Sequence, residues 1–253
     1  MQICFMGTGA ADFSPLLETK YKYKLDQNAR RSSSILINET YLVDCGPHVA
    51  GSFQIQQIDA AKVTDLLVTH FHSDHYNRDS IAWIAAQKEV PLKIWHHAEA
   101  QPEPIENCEF CPMEIGLEYA IGDLKVKALE ANHAEWPVHY DIESDGKKLF
   151  YGCDGSWLLM ATFYAMRQRR YDCMILDATV GDYVGDFRLG EHNSIPMIRL
   201  MEASFKTENV IAQDSKLVLS HLARTLHKPH EETVELLKSD GYIVAYDGME
   251  LEV

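Results

Sequence analysis

A layered α/β fold is what this 253-residue sequence predicts, and three features carry that prediction. Short apolar, β-branched runs recur along the chain, as they do where strands are buried. A strand-helix-strand order spans Val63 to Trp95, which favours helices laid against a sheet. Several of the runs stop on an aspartate or a histidine, so the polar chemistry collects at strand ends.

In chain order, Ile3 to Met6 reads as the first strand, and Gly7-Thr8-Gly9-Ala10 as a tight turn. A polar, loop-like segment runs from Glu18 to Asn28. Arg30, Arg31 and Ser32 then stand at the entrance to the strand Ile35-Leu36-Ile37, where they either meet an anionic substrate or form a solvated edge. Tyr41-Leu42-Val43 is a strand ending on Asp44, a position where burying a carboxylate is costly without a partner.

Val63 to Val68 leads directly into Thr69-His70-Phe71-His72-Ser73-Asp74-His75. Imidazole nitrogens and carboxylate oxygens are the ligands that zinc, manganese and iron accept, so this group can serve one ion or two. His70 and His72, two apart in extended backbone, point the same way; Asp74 and His75 project differently.

Arg78 to Lys88 has helical spacing, and Pro91 to Trp95 reads as a strand followed by His96 and His97 as loop or surface histidines. Glu99 to Pro112 reads as a long acidic loop. Leu124 to Leu129 alternates as a strand does and leads to His133, with His139 in the following strand as its competitor. Lys148 to Gly152 closes on Asp154, and Tyr171 to Leu176 closes on Asp177, a second candidate for the same role.

His192 precedes a helix capped by Ser194 with Pro196 in its first turn, where it either donates a proton or bonds backbone. Lys216 to Ser220 is a strand ending on His221; a helix over Glu231 to Lys238, with His230 as a cap or surface residue, and a hairpin-like pair over Gly241 to Leu251 close the chain.

The charge balance, 23 Lys+Arg against 38 Asp+Glu, gives a net charge of -15. That field repels a long phosphate backbone, so no large nucleic-acid footprint is expected. Neither a signal peptide nor an 18-residue apolar run is evident, which predicts a cytoplasmic protein with no membrane contact. The length suits one domain over 1–253, and a homodimer stays open. Cys108 and Cys111 form the sole Cys-x-x-Cys, read as a loop with two reduced thiols, with a structural zinc site as the alternative.

The spacing His-x-His-x-Asp-His over His70 to His75 resembles the signature of the metallo-β-lactamase fold superfamily. The resemblance extends over nearly the whole chain and implies a four-layer αββα sandwich. It implies a first metal held by His70, His72 and His133, a second held by Asp74, His75 and His221, and Asp154 across both, with Asp74 also catalytic. Asp44 matches the residue that supports the metal-binding loop from behind. Two such divalent ions, zinc or manganese with iron as a further option, bring a bridging water from a pKa of 15.7 toward roughly 7 and so supply a hydroxide. Hydrolysis is therefore expected.

Gly7-Thr8-Gly9, Glu191-His192-Asn193, Leu219-Ser220-His221 and Tyr246 to Glu250 together look like the phosphodiesterase branch that includes phosphoribosyl 1,2-cyclic phosphate phosphodiesterase. By that resemblance the substrate is a small phosphodiester, cyclic or open, and His192 assists the leaving group or steadies the phosphate. The branch's early cysteine cluster is absent between Ala10 and Ile35. A tRNA 3′-end processing nuclease shares the ligands but uses an inserted arm and a basic surface, neither evident here. Thioester, lactone or other acyl hydrolysis is the alternative on the same site, and a non-enzymatic metal-binding protein ranks behind both.

Overall fold

The computed structural model describes residues 1–134 and 136–253. In chain order its first half contains strands β1 (Gln2–Gly7), β2 (Ser34–Ile37) and β3 (Tyr41–Val43), helix α1 (Val49–Gln56), β4 (Asp65–Leu67), α2 (Arg78–Ala85), β5 (Leu92–His97) and β6 (Cys108–Met113). The second half adds β7 (Glu118–Ile121), β8 (Leu124–Glu130), β9 (Val138–Ser144), β10 (Lys147–Gly152), α3 (Met160–Met166), β11 (Tyr171–Asp177) and α4 (Ile195–Thr207). It closes with β12 (Ile211–Ser220), α5 (His230–Leu237), β13 (Ile243–Val244) and β14 (Glu250–Glu252).

Two seven-stranded sheets result, ordered β14-β1-β2-β3-β4-β5-β6 and β13-β12-β11-β10-β9-β8-β7. The two-residue period of a strand sends alternate side chains to opposite faces, and this splits the apolar residues into three layers of core. Phe5, Ile35, Val43 and Leu67 of the first sheet meet Val126, Tyr140, Leu149, Ile175 and Val218 of the second. Their neighbours Leu36, Leu42 and Leu66 face outward under Phe53 of α1 and Ile81 and Ile84 of α2. On the far side, Phe150, Met174 and Leu176 pack under Ile198, Met201 and Phe205 of α4. Helix, sheet, sheet, helix is the four-layer αββα order. Each buried large side chain contributes about 1.5–3 kcal/mol, so it is the outer clusters that hold the helices on the sheets.

Three sequence expectations are corrected. The segment read as a loop up to Pro112 ends instead in β6, an edge strand parallel to β5, where Pro112 is tolerated because one side of an edge needs no donor. His96 is buried within β5 rather than lying at the surface. The closing segment is not a hairpin: β13 pairs in parallel with β12, whereas β14 crosses to the other sheet and pairs antiparallel with β1. That crossing brings Asp247 back against the first turn of the chain.

β3 and β4 run parallel, as do β10, β11 and β12. Their C-terminal ends carry Asp44, the His70–His75 cluster, Asp154, Asp177 and His221 respectively. Ligand sites of open α/β sheets form at such ends, and this one does too.

Candidate metal centre

Asp44, Asp154 and His221 each take a left-handed backbone conformation, at φ 60, 60 and 55°. Non-glycine residues pay on the order of 1 kcal/mol or more for that geometry. Each stands just past a strand, in the turn that leaves it.

Asp154 Oδ2 is the point on which the imidazoles converge. His75 Nε2 lies 3.2 Å from it, His70 Nε2 3.3 Å, His133 Nε2 3.3 Å and His221 Nε2 3.5 Å. His72 Nδ1 is 3.1 Å from His133 Nε2, and Asp74 Oδ2 is 3.4 Å from His75 Nε2 and 3.6 Å from His221 Nε2. Among the described residues the donor atoms fall into four overlapping groups: His70, His72, His133 and Asp154; Asp74, His75, Asp154 and His221; Asp154, Asp177, His192 and His221; and His133, Glu191 and His192. Inside each, all ligand atoms lie within 4.8 Å of one another. His70 Nε2 and Asp154 Oδ1 are buried without a hydrogen-bond partner. Borderline nitrogen and oxygen donors, convergent and partly orphaned, fit a divalent metal.

Residues behind the donors fix their direction. Asp44 Oδ2 sits 2.8 Å from His75 Nδ1, which leaves His75 Nε2 facing the centre. Asp44 Oδ1 accepts from Thr69 N at 2.8 Å and from the Thr69 hydroxyl at 2.9 Å, tying the end of β4 to the end of β3. Such support orients the ring and sets its tautomer. This is the supporting position expected of Asp44.

Burial alone would raise the Asp74 and Asp154 carboxyls, but the surrounding histidines outweigh it and hold both below the usual carboxylate range. Burial likewise opposes charge on His75, yet Asp44 and Asp74 keep its ring protonated well above the ordinary histidine value. Burial dominates for His70 and His133, whose rings are held neutral, His133 at about 4. Four buried carboxylates, Asp44, Asp74, Asp154 and Asp177, therefore demand positive charge here, and a divalent ion meets that demand.

Asp177 is not the converging carboxylate; its competition with Asp154 resolves into a separate task. Its Oδ2 lies 2.9 Å from His192 Nδ1 and accepts from Gly155 N, while Oδ1 accepts from Thr179 N at 2.7 Å. His192 Nδ1 is also 2.8 Å from Asp154 Oδ1. Burial lowers the His192 pKa, but Asp177 and Asp154 more than reverse this and raise it to about 11. The Thr179 hydroxyl, 2.7 Å from His221 Nδ1, steadies that ring in turn. Thr179 was not singled out from the sequence; its position two residues beyond a strand-end aspartate was the available signal.

The other candidates fall away for physical reasons. His139 is buried beside Gly155 with neither ring nitrogen bonded, and burial keeps it neutral at about 4. It lies behind the centre and does not line the pocket. Cys108 and Cys111 alternate along β6, both thiols free, and no cluster of metal-ligand type among the described residues includes them.

Arg30, Arg31 and Ser32 do not line the metal pocket, and all three are buried, which corrects the solvated-edge alternative. Arg31 is buried, paired with Asp247 at 3.3 Å and bonded to the Tyr21 carbonyl. Ser32 is fully buried and exchanges hydrogen bonds with His48. The Arg30 guanidinium bonds the Ala245 carbonyl and the Thr8 hydroxyl. These residues lock the closing segment against the first turn, a long-range pairing that local sequence does not announce.

The centre opens into a pocket of about 400 Å³ lined by Asp12, His72, Asp74, His133, Asp154, Thr179, Arg188, Glu191, His192, His221 and Thr225 among others. Fold and site together define a metal-binding α/β sandwich of the lactamase type. The β-lactamase superfamily domain matches residues 39–236, and the chain belongs to that family.

Among its relatives, human zinc phosphodiesterase ELAC protein 1 is 30% identical over 145 residues, 56% of this chain and 32% of that protein. The chain thus spans about a third of the length of that curated relative. Similar solved structures include the metallo-β-lactamase fold protein YhfI from Bacillus subtilis, with a TM-score of 0.75, 16% identity and coverage of 100% of this chain and 99% of that one. A diphosphatase from the PhnP family superposes with a TM-score of 0.73 at 18% identity, covering 100% and 98%. These two likenesses establish the fold.

Proposed function

We propose that the chain is a metal-dependent phosphodiesterase that cleaves a small phosphodiester, using two divalent ions, zinc or manganese. The observation that carries the reading is His192, which lines the pocket beside the convergent donors with its Nδ1 2.9 Å from Asp177 Oδ2. His70, His72 and His133 would hold one ion and Asp74, His75 and His221 the other, with Asp154 shared. Ions so held lower the pKa of water toward neutrality and offset charge on phosphoryl oxygens.

The chain's own residues do the rest. Asp177 holds His192 Nδ1, so Nε2 is the atom left to act. With its pKa near 11, His192 is protonated at neutral pH and suited to give a proton to a departing alkoxide. Thioester hydrolysis gains less from this arrangement, because a thiolate leaves readily without a proton. The name of the human relative, a zinc phosphodiesterase, supports the same reading. The pocket of about 400 Å³ and the net charge of -15 favour a small substrate over a long nucleic acid.

The test is a panel of phosphodiesters, including ribose cyclic phosphates, with chain reconstituted in zinc or manganese and an Asp74→Ala control. Turnover of phosphodiesters, lost in the control, is expected. Hydrolysis of thioesters or lactones in place of phosphodiesters would overturn the reading.

A further inference from the structure

A second cavity, of about 220 Å³, lies beside the metal pocket. Asn28, Arg30, Arg224, His227, Lys228 and Pro229 line it together with Leu222 and Ala223. Ala223 lines both spaces, so segment 222–225 is a wall they share. Three of the lining residues are permanent cations and none is acidic, in a chain whose net charge is -15.

Nor does any of the three have an ion-pair partner of its own among the described residues. Arg30, Arg224 and Lys228 take part in none of the ion pairs among the described residues. Asp12, the nearest acidic residue in the bonding pattern, spends its carboxylate on the Arg224 and Thr225 amides and the Thr225 hydroxyl. Arg224 Nε donates only to the Asp12 carbonyl. Glu231 and Glu232, at the head of α5, line no part of the cavity.

Arg30 is the sharpest case, because its exposure is 6%. Its partners are a hydroxyl, a carbonyl and the His230 ring, all neutral. Asp247, the carboxylate closest in this network, is committed to Arg31 and Thr8, so two buried guanidiniums share one anion. Burial lowers the Arg30 pKa to about 10, which still leaves it charged at neutral pH. A buried cation that has only a shared anion nearby is poorly compensated, and an anion brought to the cavity would make up part of the deficit. His227 stays neutral and donates Nε2 to the Ala178 carbonyl, so it shapes the wall without adding charge.

From this we infer that the cavity is a phosphate-binding subsite that takes a second phosphoryl group of the substrate. A water molecule occupies about 30 Å³, so the space admits one phosphoryl group with a few waters. Arg30 supplies the fixed buried charge, and Arg224 and Lys228, both exposed, close over the anion from the rim. That the anion belongs to the substrate rests on the phosphodiesterase reading above; the subsite itself does not.

The test has two arms, both using an Arg224→Ala/Lys228→Ala double variant, whose exposed positions leave the fold intact. In the first, inorganic phosphate is titrated against metal-free chain and unfolding temperature is read. A saturable rise in the wild type, with phosphate affinity about tenfold weaker or more in the variant, is expected. Equal phosphate affinity in the two chains overturns the subsite. In the second, metal-loaded chain is given thymidine 5′-(p-nitrophenyl phosphate) with and without a 3′-phosphate. A KM raised about tenfold in the variant for the 3′-phosphorylated ester alone supports a substrate-borne group. Unchanged KM for both, with phosphate affinity weakened, overturns the substrate assignment in favour of free phosphate. Absence of turnover with either ester counts against the phosphodiesterase reading and leaves the first arm standing.

Discussion

Replacing His192 with alanine separates a proton donor from a residue that only shapes the pocket. Asp177 holds its Nδ1 at 2.9 Å, Asp154 Oδ1 stands 2.8 Å away, and the two carboxylates raise the ring to about 11. General acid catalysis contributes roughly 10²- to 10⁴-fold, or about 3–5 kcal/mol of barrier. A p-nitrophenolate departs without protonation, whereas an alkoxide does not. His192→Ala is therefore expected to lower kcat by about 10²-fold or more on an alkyl phosphodiester and by less than about tenfold on bis(p-nitrophenyl) phosphate. The assay is kcat on both esters with equal metal loading. A loss of the same size with both leaving groups would refute the proton-donor role.

Asp177→Asn keeps the shape and removes the charge that contributes most to holding the proton on His192, so the alkaline fall in kcat/KM is expected at lower pH than in the wild type. A pH profile superposable on the wild type would count against it. Acid should destabilise the fold through His139 and His227, each at about 4 when folded against about 6.5 unfolded. The unfolded chain binds more protons between those values, so their contribution is complete above pH 6.5 and falls away toward pH 4, by up to about 3 kcal/mol each. Urea unfolding at pH 7 and pH 5 reads this directly, and an unchanged midpoint would contradict it. Asp247→Ala strands the Arg31 guanidinium and should cost about 3–5 kcal/mol of stability. A change in KM with the unfolding midpoint intact would return Arg31 to the substrate.

Much of the site was legible because its chemistry is local. His70 to His75 lie within one turn after β4, and Asp154 and His221 each follow a strand whose apolar run is plain in the sequence. Asp44 could be singled out because an aspartate ending a buried strand needs a partner, and it has three. What was not legible depends on residues far apart in the chain. Arg31 is buried because Asp247, 216 residues away, returns to it. Asp177 looked like a rival of Asp154 because both end strands alike, and only the convergence of four imidazoles on Asp154 Oδ2 tells them apart. Helix α1 escaped notice because its buried residues, Val49, Ser52 and Phe53, make no apolar stripe. The ending over 241–251 misled for a related reason: its two strands are close in sequence but belong to different sheets.

The central claim is that His70, His72, His133, Asp74, His75, His221 and Asp154 form one shared metal centre, and metal content measures it most directly. Chain stripped with chelator, reloaded with zinc, desalted and assayed by mass spectrometry for metal is expected to hold two ions per chain. Asp154→Ala is expected to hold fewer, since its carboxylate is shared by the two donor groups assigned to the ions. Wild-type chain that takes up no metal, or an Asp154→Ala chain that loads as fully as the wild type, would contradict the account.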